Sequence, residues 1–274
     1  MRGKEYFIRF CLAVAFFSRL PIPAAVPFSP ERLNRASAFF ALVGTCIGIL
    51  VAVTTWVTAL WWPLDVAVLL GMLFSLRLTG AFHEDGLADM ADGLGGGLNT
   101  ERKLAIMKDS RLGTYGAVSL FGGLLLKWQL LVGIGEHGIA GLCGALIGMH
   151  TVSRAIAGSL IADTPYVRAA GSKAKPLAER QSCRDTLFLL CSAGAVSALL
   201  FSPLVALLLW SLGALFHWSL RRYLLAQLGG FTGDCLGAGQ QIMELIGYLA
   251  LLGILQQGGA ILAPWLEGYL LWPT

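Results

Sequence analysis

The chain has 274 residues, of which 56% are hydrophobic and 13% charged, with a formal net charge of +4 and a mean hydropathy of +0.71. A soluble domain carries about 25% charged residues, so this composition argues against an ordinary water-soluble core and for a bilayer as solvent. There is no long basic tract, zinc-ligand spacing or basic–aromatic interleaving, so nothing points to nucleic acid as a partner.

The first element is an apolar stretch over 5–20, expected as an interfacial or re-entrant helix, with a full span as the alternative. It does not read as a signal peptide: Arg9 interrupts the apolar run, and Arg19-Leu20-Pro21-Ile22-Pro23 stands where a cleavage site would follow. Seven apolar runs come next, over roughly 37–61, 63–81, 114–133, 139–161, 185–202, 203–220 and 241–262. Each approaches the ~20 residues needed to cross ~30 Å of hydrocarbon. The 185–220 run is divided at Ser202-Pro203, because proline ends the helix before it. The expected architecture is all-α: a polytopic integral membrane protein with about seven transmembrane helices and an N-terminal interfacial helix, residues 1–274 forming one domain. The six cysteines (Cys11, Cys46, Cys143, Cys183, Cys191, Cys235) form no CxxC and read as small buried residues.

Cations orient the spans. Arg2, Lys4, Arg9, Arg19, Arg32 and Arg35 precede the first span; Arg102, Lys103, Lys108 and Arg111 lie between the second and third. Arg168, Lys173, Lys175, Arg180 and Arg184 lie between the fourth and fifth, and Arg221 and Arg222 follow the sixth. The opposite segments hold no Lys or Arg. The positive-inside rule then puts the N-terminus in the cytoplasm. Arg77 and Arg154 fall near cytoplasmic span ends, where they could snorkel. Lys127 lies deeper and should face protein or water.

The most informative segment runs from Thr79 to Gly93. Asp85, Asp89 and Asp92 are spaced i, i+4 and i+7, which puts three carboxylates on one helical face. Like charges repel, so the stripe calls for a compensating cation, and carboxylate oxygens suit a hard ion such as Mg²⁺. Solvated loop charges at a span end are the plainer account. Glu84 sits off the stripe and is expected in solvent; His83 could be a ligand, a proton shuttle or an interfacial polar group. Gly86 and Gly93 would let a ligand or another helix approach closely.

Two further segments reach the same expected face. In Lys108-Asp109-Ser110-Arg111, Asp109 could complete a four-carboxylate site, while Lys108 and Arg111 could hold phosphate oxygens, arginine in bidentate fashion. A helix cap with topology charges explains the same residues. Thr232-Gly233-Asp234 lies in a glycine-rich turn before the last span, with Glu244 one helical stretch on. Arg154, Tyr166 and Arg168 are further candidates, the two arginines for phosphate.

His83-Glu84-Asp85-Gly86-Leu87-Ala88-Asp89-Met90-Ala91-Asp92-Gly93 resembles the HxDGLADxxDG signature of the cobalamin synthase family, also called adenosylcobinamide-GDP ribazoletransferase or cobalamin-5′-phosphate synthase. Lys108 to Gly116, Thr232-Gly233-Asp234, Arg19-Leu20-Pro21 and Ser153-Arg154 resemble the family too, in order, over about 10–250. The resemblance implies that adenosylcobinamide-GDP and α-ribazole, or its 5′-phosphate, combine with release of GMP, at the bacterial inner membrane and with Mg²⁺. It implies catalytic roles for His83, Asp85, Asp89, Asp92 and Asp109, the four aspartates holding metal. Lys108, Arg111, Arg154, Arg168, Thr232 and Asp234 would bind substrate or phosphate. The bilayer is the surrounding partner; a homo-oligomer or a complex with pathway enzymes is open.

Two rivals stand beside this reading. Asp89-x-x-Asp92-Gly93 superficially resembles part of the CDP-alcohol phosphotransferase signature, but the Ala-Arg that should follow and the later aspartate pair are absent. A cation transporter would line its path with carboxylates; here they gather at one face, and no inverted repeat is evident.

Overall fold

The computed structural model describes residues 2–167 and 181–267, and throughout these it is helical apart from turns and two isolated β-bridges. Arg168, Lys173, Lys175 and Arg180 lie outside the described residues. The helices are α1 (Arg2–Phe17), α2 (Pro30–Ala36), α3 (Phe40–Ala59), α4 (Leu64–Thr79), α5 (Phe82–Gly96), α6 (Thr100–Met107), α7 (Thr114–Glu136), α8 (Ile139–Asp163), α9 (Cys183–Leu200), α10 (Pro203–Leu228), α11 (Gly233–Gln256) and α12 (Pro264–Glu267). Six helical segments are long and apolar enough to cross a membrane, the first being α2–α3 taken together; counting the bent pair α4–α5 makes seven. The chain is thus a polytopic all-α membrane protein.

Helix α8 is the centre of the bundle. In its most apolar window 72% of the residues are buried, against 17% for α9 and 22% each for α7 and α10. The peripheral helices turn apolar side chains outward, among them Phe121, Leu187 and Leu204. Such faces suit acyl chains, since lipid offers no hydrophobic penalty. The α3–α8 contact relies on small residues. A Cβ on Gly44 would lie 2.1 Å from the His150 carbonyl oxygen, and one on Gly48 would lie 2.8 Å from the Ile147 Cα. This glycine pair, four residues apart, lets the backbones close up, and the Thr45 and Thr151 hydroxyls bond across the contact at 2.9 Å.

α4 stays within two residues of its expected 63–81, whereas two later spans depart from theirs by six residues or more at one end or both. α4 has only 16 residues, about 24 Å at 1.5 Å per residue, because glycine and a left-handed turn stop it. α10 continues to Leu228, eight residues beyond the expected 220. The last helix begins at Gly233 rather than 241 and ends at Gln256. The segment after it folds back onto the α9–α10 turn: Ser202 N–H donates to Ile261 O and Ala263 N–H to Leu200 O, both at 3.0 Å. Apolarity marks lipid contact, whereas helix limits follow caps and packing, so a hydropathy reading misplaces both ends. The cysteines divide: Cys11 and Cys235 are buried, but Cys183 and Cys191 are exposed, contrary to expectation, and all six are free thiols.

Candidate functional site

The site forms where the chain bends out of α4. Gly80 closes that helix with φ 69°, and Ala81 follows at φ 57°. A non-glycine residue in this region is strained, so the bend needs external support. Arg19 supplies it. Its N–H donates to Leu78 O at 2.7 Å, and its side chain packs so close to Gly80 that a Cβ there would meet Nε at 2.7 Å. The bend turns α5 by 85° from α4.

There α5 crosses the first turns of α11. The close approach runs through two glycines: a Cβ on Gly86 would sit 2.9 Å from Asp234 O, and one on Gly237 would sit 3.3 Å from the His83 Cα. On the other side Gly93 admits α6, where an added Cβ would lie 2.9 Å from Lys103 O. Both glycines of the motif therefore receive helices.

Asp234 reaches the stripe because its helix starts early and is well anchored. Thr232 is the N-cap, its hydroxyl accepting from Cys235 N–H at 3.4 Å and donating to Asp234 Oδ2 at 3.2 Å. The preceding turn is pinned to the chain after α8: Val167 N–H donates to Phe231 O at 2.8 Å and Phe231 N–H to Pro165 O at 2.9 Å. Asp89 feels this company. Burial, then the charges of Asp85, Asp234 and Asp92, push its carboxyl up to about 7. Four carboxylates sharing one field make a site that a cation would stabilise.

The other predicted residues are placed differently. Asp92 is only 7% exposed; its oxygens accept N–H bonds from Gly113 at 2.7 Å and Gly116 at 2.8 Å. It therefore caps α7 from a distance, as a carboxylate at a helix N-terminus does. Asp109 stands apart from the stripe. It accepts Arg111 Nε at 3.0 Å and Arg111 Nη2 at 2.5 Å. These bonds hold its carboxyl down, at about 2. Lys108 is the exposed C-cap of α6. Among the described residues, no three His, Cys, Asp or Glu side chains converge closely enough to hold a metal by themselves. Asp109 is thus paired with Arg111. The oxygen donors do fit Mg²⁺, which keeps several waters and is usually held by one or two carboxylates plus substrate phosphates rather than by a closed cage.

Arg154 is not at the bundle surface and does not snorkel. It is 3% exposed and lies within 3.6 Å of Glu244, which is itself fully buried. Glu244 also pairs with Lys127 and with His150 at 3.1 Å, and it accepts from Gln240 at 2.5 Å. Lys127 thus faces protein. Glu84 belongs to the same polar interior, against expectation: it is 6% exposed and accepts from Gln241 at 2.9 Å. The sequence carried one signal for this network, the polar run Gln240-Gln241 with Glu244 inside an apolar helix, because ionisable groups in a span must find partners.

The sequence model for cobalamin-5-phosphate synthase matches residues 9–252, most of the chain. The chain belongs to the cobalamin-5-phosphate synthase family. Among curated relatives of this synthase, the adenosylcobinamide-GDP ribazoletransferase of Vibrio vulnificus is 50% identical over 248 residues, covering 90% of this chain and 96% of its own. The protein of that name from Vibrio parahaemolyticus is 49% identical over 90% of this chain and 92% of its own. That from Shewanella amazonensis is 47% identical over 89% and 94%. No solved structure matches the chain.

Proposed function

We propose that this synthase transfers the cobinamide-phosphate moiety of adenosylcobinamide-GDP to α-ribazole or its 5′-phosphate, forming the nucleotide loop of a cobalamin and releasing GMP. The observation that carries this reading is near-full-length identity of about half to relatives bearing that enzyme name. The negative field that Asp85, Asp234 and Asp92 exert on Asp89 supports it as a place for pyrophosphate chemistry.

In the proposed reaction the ribose 3′-hydroxyl of α-ribazole attacks the phosphorus next to cobinamide. A new P–O bond forms as the bond to the GMP oxygen breaks, and the hydroxyl proton passes to a carboxylate of the stripe or to His83. Asp85, Asp89 and Asp234 would hold Mg²⁺, with Asp92 beside them, and the ion would neutralise the phosphates and polarise the reacting phosphorus. Asp92 orients the start of α7. Lys108 and Arg111 on the α6–α7 loop would supply cations for equatorial oxygens, Arg111 exchanging Asp109 for phosphate. Burial and the nearby Arg154 hold the His83 imidazole well below its usual range, so it is neutral and able to accept a proton.

The same reading places the site at the cytoplasmic face of the bacterial inner membrane. Arg35 precedes α3, Arg111 precedes α7, Arg184 opens α9 and Arg222 lies near the end of α10, all at the α5 end of the bundle. The connections at the other end, 60–63, 137–138, 201–202 and 257–267, hold no Lys or Arg. The test is single-turnover GMP release by detergent-purified protein given both substrates, with Mg²⁺ or with EDTA. Mg²⁺-dependent GMP matched by new corrinoid product is expected. Folded protein that releases no GMP under either condition would overturn the assignment.

A further inference from the structure

The crossing of α5 and α11 sets a mechanical problem. Gly86 and Gly237 let the two backbones close up. A glycine face has no side chain to interlock, so it permits close approach without fixing rotation. Charge works against the contact: Asp85 on α5 opposes Asp234 on α11, and both bear on Asp89. Holding the register before a cation arrives calls for a directional bond between the two helices.

Such a bond is present. Gln241 Nε2 donates to Glu84 Oε1 at 2.9 Å, and both residues are buried, each 6% exposed. Asp234, Gly237 and Gln241 stand at i, i+3 and i+7, on one face of α11. The bond therefore lies about two turns along α11 from Asp234, on the face that meets α5. At its other end, Glu84 directly precedes Asp85. Gln241 is itself held. Its amide nitrogen also donates to Gln240 Oε1 at 2.9 Å. Gln240 donates in turn to Ser153 on α8 at 3.0 Å and to Glu244, which pairs with Lys127 on α7. The tie from α11 to α5 is thus anchored on α7 and α8 as well.

The bond is a poor way to gain stability. Glu84 Oε2 is buried without a partner, and an unmet polar atom in the interior is costly. An apolar pair of similar volume would hold the helices together as well or better. What the bond adds is direction. Resting on the Mg²⁺ site proposed above, we infer that Gln241 and Glu84 are positioning residues, which fix α5 on α11 so that Asp85 and Asp89 stand with Asp234 before the metal binds. They act through the carboxylates and hold neither metal nor substrate. Their loss leaves the carboxylates in place on their helices but lowers the share of molecules in which they are gathered. The apparent affinity for Mg²⁺ falls by that share.

The experiment titrates Mg²⁺ into detergent-purified protein and reads two quantities: the rise in melting temperature without substrates, and GMP release with both substrates saturating. The unmodified chain is compared with Glu84→Leu, Glu84→Gln and Gln241→Leu. Glu84→Leu and Gln241→Leu lose the bond. Both should need about tenfold more Mg²⁺ for half-saturation in each readout, the population change that one lost hydrogen bond allows. Glu84→Gln loses the carboxyl as Glu84→Leu does but keeps an oxygen to accept from Gln241, so its half-saturating Mg²⁺ should stay within about threefold of the unmodified value. Comparing the two Glu84 variants separates the bond from the charge, and it decides the matter even where Gln241→Leu does not fold. Equal half-saturating values in those two variants would overturn the inference. So would a lower melting temperature in Glu84→Leu and Gln241→Leu with no change in the Mg²⁺ required, since the bond would then only stabilise the fold. Absence of any Mg²⁺ effect on the unmodified protein would instead refute the metal site on which the inference rests, and the inference with it.

Discussion

Asp92 separates a structural carboxylate from a chemical one. Its oxygens take two backbone N–H groups at the start of α7, at 2.7 Å and 2.8 Å, and at 7% exposure water cannot readily replace it. A hydrogen bond to a charged group contributes about 1.5–3 kcal/mol. Asp92→Asn keeps one acceptor oxygen, so about 1.5–3 kcal/mol should be lost, and Asp92→Ala about twice that. At roughly 2–4 °C per kcal/mol for a chain of this size, the apparent melting temperature in detergent should fall by about 3–12 °C for Asn and further for Ala. Asp89→Asn offers the contrast. It removes a charge that Asp85, Asp234 and Asp92 oppose, so melting without divalent cation should be unchanged or higher while GMP release collapses. Thermal melts and single-turnover GMP release on the three proteins decide the matter. If Asp92→Asn melts like the unmodified protein, the carboxylate does not cap α7 and the reasoning fails.

Further outcomes follow from the same geometry. Asp89 has a folded pKa of about 7 against an ordinary 3.8, so between those values the folded state binds the extra proton; without divalent cation, stability should fall as pH rises through that window. Mg²⁺ should raise the melting temperature more at about pH 8 than at about pH 5, and equal shifts at both would separate Mg²⁺ from this carboxylate. Lys127→Met leaves Glu244 without one of its cations and should cost about 3–5 kcal/mol, read as lost melting temperature and lower yield from membranes; a normal melt would mean that the pair contributes little. Gly86→Val brings a Cβ to 2.9 Å from the Asp234 carbonyl and 3.1 Å from its Cα, so α5 and α11 must separate; helical circular dichroism should persist while GMP release is lost, and full activity would show that the crossing is not needed. Arg111→Lys keeps the charge but loses the fork, and should lower kcat/KM roughly tenfold with no change in melting; unchanged turnover would remove Arg111 from phosphate binding.

The sequence by itself determined the solvent, the all-helical class and the chemical character of one membrane face. Apolar runs of span length can only be helical in lipid, because every backbone N–H and C=O must be met within the segment. The stripe of Asp85, Asp89 and Asp92 was legible because helical spacing is a local property, and α5 is indeed a helix. Tertiary structure decided what each carboxylate touches. Asp92 became a cap because Gly113 and Gly116 arrive from beyond α6, and Asp109 is paired with Arg111 two residues away. Glu84 and Arg154 were expected at solvated or snorkelling positions; both lie inside because Gln241 and Glu244 on α11 offer partners. The early start of α11 and the 85° bend at Gly80-Ala81 depend on contacts among segments far apart in the chain. Periodicity and composition describe a residue's own helix, and these features are set by the helix that packs against it.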